Sequence, residues 1–180
     1  MKWTRDKLSI EMLDEPHYSF ASTDNMRSYD AELLLVQRES VTSRHGVISS
    51  VDNARRASIV VGAGGGSTGV HERSAVLVED LCFVGVGPVV VCFAVPTLDV
   101  YWYRDADPAT CFGVHLCPEE RAILVHGELE VSKWSFDGNR LWSFDGADIF
   151  TGGLSIVGGT VAIEDYAGRE YRVDLGTGRF

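Results

Sequence analysis

The sequence predicts an all-β fold of antiparallel hairpins in a meander, arranged as a sandwich or a partial propeller-like structure, with little helix. The pentapeptide Trp-Ser-Phe-Asp-Gly occurs twice, at Trp134–Gly138 and at Trp142–Gly146. In each copy the two aromatic residues are two positions apart and share one face of a strand, and the Asp-Gly pair favours a tight hairpin turn. Near the end of the chain, residues 169–175 alternate between polar and apolar side chains, which indicates a strand with one solvated face.

The length and composition indicate one β-rich domain over residues 1–180. The chain has 26 acidic and 16 basic residues and a formal net charge of −10, which disfavours nucleic-acid binding because phosphate backbones are repelled. The first residues contain no apolar leader segment, so we expect a cytoplasmic protein whose four cysteines are reduced. The domain divides into a divergent N-terminal part, residues 1–74, and a part with repeated hairpins, residues 75–180.

The N-terminal part contains the weaker strand signals. Alternation over Leu8–Met12 predicts a half-buried strand, and two further strands are expected at 47–51 and 57–61. The segment 31–38 fits either a short helix capped by an aspartate or a buried strand, and its β-type neighbours favour the strand. The glycine-rich segment 62–69 that follows is expected to be a long flexible hairpin loop.

The uncharged stretch from Leu81 to Leu98 is long enough to suggest a membrane span, but glycines and prolines interrupt it. Two buried strands joined by a Gly-Pro turn, at 81–84 and 89–95, fit this stretch better, so no membrane association is expected. From Val89 onward a two-strand unit recurs at intervals of about 35–40 residues, the range of propeller blades. The strands of the three units are expected at 89–95 and 99–103, at 122–125 and 129–136, and at 160–164 and 169–175. The sequence Val157-Gly158-Gly159-Thr160 predicts a two-residue hairpin turn before the last unit.

One part of this pattern resembles a known family. The segment Leu141-Trp142-Ser143-Phe144-Asp145-Gly146, then Val161-Ala162-Ile163, then Tyr171 to Gly178, is similar to a blade of the PQQ-like or WD-type propeller repeats. Such blades open on an aromatic strand and close on an Asp-x-x-x-Gly turn. The resemblance covers about forty residues well and implies propeller-like repeats; a closed propeller would need at least four blades. It carries over no cofactor and no site residue.

Several residues could support catalysis or metal binding. Cys111, His115 and Cys117 have even separations and are expected on one strand face, with His126 nearby, so that zinc binding is an alternative to a core role. A strand, however, spreads alternate side chains about 7 Å apart, which is wide for ligands of one ion. His71 and Glu72 follow the glycine-rich segment and could form an acid–base pair with Ser67 or Ser74. No nucleophile elbow, phosphate loop or cofactor motif is present, so no cofactor is expected.

The aromatic residues suggest a binding face more strongly than the polar residues suggest an active site. Aromatic side chains beside acidic turns are typical of protein interfaces, although the same rings could fill the core. Tyr101 and Tyr103 cannot share a strand face with Trp102, so a strand that carries all three must present aromatic side chains on both of its faces. The candidate binding residues are Tyr101, Trp102, Tyr103, Trp134, Trp142, Asp137 and Asp145.

Two functional hypotheses follow. The first is a non-catalytic acidic domain that binds another protein, in one version an immunity- or antitoxin-type inhibitor of a basic partner. The second is a small enzyme, or a protein that binds a small ligand or a metal, using the glycine-rich loop with His71 and Glu72 or the strand with Cys111 and His115. The sequence favours the first and does not determine the oligomeric state.

Overall fold

The computed structural model describes all residues from 1 to 180 and confirms the all-β prediction. The chain is 54% strand and 3% helix. Its helical residues form two single 3₁₀ turns, Arg38–Ser40 and Pro118–Glu120. None of the helical segments is long and apolar enough to cross a membrane.

Five strands form the first sheet, sheet I. They are β1 (Lys2–Arg5), β2 (Leu8–Asp14), β3 (Ala31–Leu34), β4 (Ser43–Val51) and β5 (Ala54–Ala63). The spatial order is β1-β2-β4-β5-β3, and all neighbours are antiparallel except β3, which runs parallel to β5. The ambiguous segment at 31–38 is therefore a strand in its first half, as favoured, but its parallel pairing was not predicted.

The remaining strands form three antiparallel meanders in which sequential strands are neighbours. Sheet II contains β6 (Ala75–Val78), β7 (Leu81–Val86), β8 (Val89–Ala94) and β9 (Asp99–Asp105). Sheet III contains β10 (Cys111–Cys117), β11 (Ala122–Gly127), β12 (Glu130–Ser135) and β13 (Arg140–Asp145). Sheet IV contains β14 (Ser155–Val157), β15 (Thr160–Glu164) and β16 (Glu170–Asp174).

The hairpins predicted at 81–95 and around Gly158-Gly159 are confirmed, whereas the alignment of the repeats needs one correction. Strands β7 and β8 pair as a buried antiparallel hairpin through the Gly87-Pro88 turn. Gly158 and Gly159 both have positive φ angles, 56° and 78°, as a primed two-residue turn requires. The three predicted units begin at β8, β11 and β15. However, β8 is the third strand of its sheet, whereas β11 and β15 are second strands, so the first unit begins one strand later in its sheet than the other two. Both β7 and β8 are apolar on both faces, and the sequence alone did not distinguish their positions.

The four sheets stack face to face, and each interface between consecutive sheets has its own apolar cluster. Val61 and Phe93 belong to the cluster between sheets I and II, Phe83 and Ile123 to that between II and III, and Leu124 and Val161 to that between III and IV. No apolar cluster joins sheet I to sheet IV. The stack is therefore open.

The two outer faces of the stack differ: one is covered by a loop, and the other is exposed and charged. On sheet I, Tyr18 and Phe20 from the loop after β2 pack on Val60 and bury that face. On sheet IV, the outer face is formed by exposed charged side chains of β15 and β16, namely Glu164, Glu170, Arg172 and Asp174. End sheets with a covered or polar outer face are what keep a stacked repeat protein soluble.

The two pentapeptide copies lie on neighbouring strands of one hairpin, but their aromatic side chains point to opposite faces of sheet III. Trp134 and Phe136 pack against sheet II, and Trp142 and Phe144 pack against sheet IV. A β-bulge between Lys133 and Trp134 shifts the register of β12 against β13. A one-residue shift exchanges the faces of a strand, so the same pentapeptide contributes to two different interfaces.

A tryptophan on the last strand of one sheet is hydrogen-bonded to the next sheet at two successive interfaces. Trp102 on β9 donates its indole N–H to the Phe136 carbonyl at 2.8 Å, and Trp142 on β13 donates to the Leu175 carbonyl at 3.0 Å. Each ring lies against a glycine with positive φ, Gly138 or Gly178, where a Cβ would come within 2.7 Å of the indole. These pairs align consecutive sheets, because each combines ring burial with a directed hydrogen bond.

Replacing Trp102 with phenylalanine should lower the free energy of unfolding by about 2 kcal/mol. The change removes part of a buried ring and leaves the Phe136 carbonyl without its indole donor. The same replacement at the half-buried Trp142 should have a smaller effect. Urea unfolding monitored by circular dichroism would test this order, and an equal loss at both positions would contradict it.

Candidate functional site

The predicted aromatic binding face divides between surface and core. Tyr101 and Tyr103 lie on β9, the last strand of sheet II, and are 60% and 50% exposed. Tyr103 pairs with Val91 on the face away from Trp102, and Tyr101 is the extra residue of a β-bulge in which two residues of β9 face one of β8. Bulges reorient side chains at sheet edges, which explains why the Tyr101 phenol reaches solvent.

The tryptophans that were candidate binding residues are taken up by the sheet interfaces, which corrects that part of the hypothesis. Trp102 and Trp134 are buried in the cluster between sheets II and III, and Trp142 is half-buried between sheets III and IV. Because the sheets stack on both faces, a large ring on an inner position is covered whichever way it points. These indoles are not available to a partner.

The two candidate aspartates are exposed but lie at opposite ends of sheet III. Asp137 is in the turn between β12 and β13. This turn contacts β9, where Arg104 donates to the Gly138 carbonyl at 3.2 Å. Asp145 pairs with Glu130 at the other end of the same hairpin, about 15 Å away at the rise of a strand. Asp137 therefore lies near β9, the strand that carries the two tyrosines and the exposed carboxylates Asp99 and Asp105. We call this set, Asp99, Tyr101, Tyr103, Asp105 and Asp137, the acidic edge.

A second group of polar residues lies at the opposite edge of the sheets. Arg73 precedes β6, and its Nη1 lies 2.9 Å from Nδ1 of His115 on β10. A guanidinium group can only donate, so Nδ1 accepts and the imidazole proton resides on Nε2. Burial, together with the charge of Arg73, lowers the pKa of His115 to about 4 and that of the neighbouring His126 to about 4. Both rings are therefore neutral at physiological pH.

Neither histidine has a hydrogen-bond partner at Nε2. The two residues are only 9% and 6% exposed, and each Nε2 is buried without a partner. His115 borders a hollow of about 450 Å³ with Arg73, Val76, Leu116 and Ile156, and His126 borders a smaller hollow of about 270 Å³. Arg73 and Leu154 line both hollows. We call the larger hollow the Arg73 cleft.

The structure does not assemble the zinc site considered as an alternative. A β-bulge between Cys111 and Gly113 shifts the register, so Cys111 packs toward sheet II whereas Cys117 packs toward sheet IV. The even separations therefore do not place the two thiols on one face. Burial raises the pKa of both thiols, which disfavours the thiolate that zinc requires. No group of three or more His, Cys, Asp or Glu side chains is arranged to hold a metal.

The glycine-rich segment is not a hairpin loop, which is a further correction. It connects sheet I to sheet II and packs closely: the Gly66 amide donates to the Ala109 carbonyl at 2.8 Å, and a Cβ at Gly65 would lie 2.6 Å from the same oxygen. Gly65 and Gly66 are explained by this close approach to the link between sheets II and III.

The residues after this segment do not form a nucleophile–base pair. The Ser74 hydroxyl accepts the His71 backbone N–H, and the His71 ring accepts the Arg73 backbone N–H. Both side chains therefore complete a local turn, and Glu72 is exposed at the mouth of the Arg73 cleft. This arrangement does not support general acid–base catalysis.

Comparisons with known proteins were made for sequence and for structure. No protein-family model matches the chain, and no curated protein sequence matches it. Solved structures do match. BamB from Moraxella catarrhalis is 18% identical and has a TM-score of 0.55, with 86% of this chain and 49% of that chain covered. The computationally designed Ika8 protein is 11% identical at a TM-score of 0.54 and covers 99% and 58%.

A third structure, the Cps50 (Swd1) β-propeller domain from Myceliophteria thermophila, is 10% identical at a TM-score of 0.54 and covers 76% and 53%. The fold is propeller-like. The resemblance to PQQ-like and WD-type repeats is thereby confirmed at the level of fold. The chain spans about half the length of BamB. At these identities the likeness establishes the architecture, and any function must be argued from the residues of this chain.

Of the polar residues at the Arg73 cleft and the hollow beside it, the sequence pointed to His115 and His126, although for a different reason, and did not point to Arg73. His115 and His126 were noticed as metal ligands, but the structure presents them as neutral, unpartnered imidazoles. Arg73 was not identified, because a single arginine in a polar segment has no distinguishing pattern. Only the packing of β6 against β10 brings it to His115.

Proposed function

We propose that this protein is a non-catalytic binding module whose acidic edge recognises a basic region of another protein. The observation that carries the proposal is the exposure of both Tyr101 and Tyr103 on an edge strand. Tyrosine offers a large contact area at a low cost in side-chain entropy and is enriched at the energetic centres of interfaces.

The charge around the tyrosines supports a basic partner. Asp99 and Asp105 lie on the same strand as the tyrosines, Asp137 lies in a turn that contacts this strand, and the net charge of the chain is −10. A field of this sign accelerates encounters with positively charged surfaces and repels acidic competitors. An open stack of sheets also presents a long edge to a partner, as stacked repeat proteins do.

A more specific version of the proposal is an immunity- or antitoxin-type inhibitor that covers a basic enzyme in the cytoplasm. An acidic, non-catalytic surface that masks a basic catalytic groove is what such an inhibitor needs. The four cysteines are buried and free, which suits a reducing compartment.

The test compares the wild-type protein with the double variant Tyr101→Ser/Tyr103→Ser. A partner is captured with the wild type from native lysate, identified, purified and titrated by calorimetry. We expect the double variant to bind it about a hundredfold more weakly, because two anchor residues are lost. We also expect wild-type association to slow as salt is added.

The matched control is Tyr166→Ser, which removes a still more exposed tyrosine from the turn between β15 and β16. It should leave the affinity unchanged. A double variant that retains wild-type affinity, or a partner that is acidic at the contact, would refute the proposal.

A further inference from the structure

The Arg73 cleft lies at the sheet edge opposite the acidic edge. Its walls come from β6, β10 and β14, the first strands of sheets II, III and IV, whereas Tyr101 and Tyr103 are on the last strand of sheet II. A ligand in the cleft would therefore not compete for the surface used by the proposed partner, and the cleft requires its own explanation.

The cleft contains hydrogen-bond donors that the chain leaves unused. Since Nδ1 of His115 accepts from Arg73, Nε2 carries a proton, and this buried N–H has no acceptor. A buried donor without a partner destabilises the folded protein, and an acceptor in the cleft would remove that cost. Arg73 itself has only a loose contact with a carboxylate, the exposed Glu72 at 4.0 Å. Two adjacent donors, one of them cationic, favour an anionic acceptor.

A glycine keeps the space beside these donors open. A Cβ at Gly113 would lie 3.0 Å from Cβ of Arg73 and 3.5 Å from Nε2 of His115. The backbone of Gly113 does not adopt a positive φ angle, so alanine could occupy the position without backbone strain. The role of glycine at position 113 is therefore to leave the space next to Nε2 of His115 open.

The other lining residues of the cleft are apolar, with the exceptions of Glu72 and Ser155. Val76, Leu116 and Ile156 line it, and Leu154 closes it toward the smaller hollow. A hydrated inorganic anion gains nothing from such walls, whereas the hydrocarbon part of an organic acid does. Polar donors at one point of a mainly apolar hollow are the usual composition of a small-molecule site.

We propose that the Arg73 cleft binds a small organic carboxylate, with its oxygens on the Arg73 guanidinium and on Nε2 of His115, and its apolar part against Val76, Leu116 and Ile156. His126, whose Nε2 is also unpartnered, borders the adjoining hollow and limits how far the ligand extends. The inference does not depend on the proposed protein partner.

The experiment titrates benzoate into the full chain with ¹⁵N-labelled histidine and follows the imidazole nitrogens by NMR. In the free protein the His115 signals should show a proton on Nε2. Benzoate should shift them saturably, while benzyl alcohol, the neutral counterpart, should not. Absence of a saturable benzoate shift, or an equal response to benzyl alcohol, would overturn the proposal.

Variants separate the site from a general effect. Arg73→Gln should weaken benzoate binding at least about tenfold, and Gly113→Ala should do the same by filling the space beside Nε2. Arg172→Gln, on the exposed outer face of sheet IV, should bind as the wild type does. Unchanged backbone amide spectra away from the cleft would show that each variant is folded. Wild-type affinity in folded Arg73→Gln would overturn the assignment.

Two further probes identify the source of the anion. Inorganic phosphate that displaces benzoate at equal concentration would overturn the choice of an organic acid. A short peptide ending in phenylalanine is tested as the free acid and as the amide. Binding of the free acid more tightly than benzoate, with loss on amidation, would reassign the cleft to a protein C-terminus. Weaker binding of both peptide forms supports a small free acid.

Discussion

Replacing Asp107 with alanine should lower the free energy of unfolding by about 4 kcal/mol. The side chain is buried, and its two oxygens accept four backbone N–H groups at 2.7–2.9 Å. Two of these groups belong to Ala109 and Thr110 in the link between sheets II and III, and two to Leu129 and Glu130 at the start of β12. Hydrogen bonds to a carboxylate are strong, and their loss leaves several partly buried donors without a partner.

Chemical unfolding of Asp107→Ala and of Asp105→Ala would measure the effect against a matched control. Asp105 is two residues earlier and exposed, and its carboxylate makes no hydrogen bond; the Arg140 side chain donates only to its backbone carbonyl, so its variant should change stability by less than about 0.5 kcal/mol. Asp107→Asn should recover no more than half of the loss, because the amide keeps only one acceptor oxygen. A fully stable Asp107→Ala would show that the link between the sheets is held by other contacts.

The protein should lose stability in mild acid because buried histidines must remain neutral when it is folded. The pKa of His115 and of His126 falls from the ordinary value of 6.5 to about 4, first through burial and then through the charge of Arg73. Between these values the unfolded chain binds protons that the folded chain does not, so stability is complete above pH 6.5 and is lost progressively toward pH 4. Each imidazole contributes a slope of up to about 1.4 kcal/mol per pH unit. Burial also lowers the pKa of His45, which adds in the same direction.

Urea unfolding at several values from pH 5 to pH 7 would test this expectation, since few carboxylates titrate in that window. The double variant His115→Gln/His126→Gln should have a clearly smaller slope, whereas His17→Gln, at an exposed position, should keep the wild-type slope. A wild-type stability that is constant over this window would mean that the imidazoles bind protons in the folded protein as they do in the unfolded chain, and it would contradict the lowered pKa values.

Local patterns in the sequence were informative where a short stretch determines its own geometry. The Gly158-Gly159 turn and the hairpin of β7 and β8 were predicted because both depend on residues a few positions apart. The separation of Tyr103 from Trp102 followed from strand alternation in the same way. The same reasoning was wrong for Cys111 and Cys117, because a β-bulge inserts one residue and reverses the alternation. No residue type in the sequence predicts the position of this bulge.

The amino-acid sequence by itself determined that the chain forms antiparallel strands, where most of them lie and that the surface is acidic, because these properties arise from neighbouring residues. The stacking order of the sheets, the burial of Trp102 and Trp134, and the meeting of Arg73 with His115 were decided only in the tertiary structure. Each of these depends on groups that lie far apart in the chain and come together when apolar faces pack. For that reason the acidic edge could be anticipated in part, and the Arg73 cleft could not.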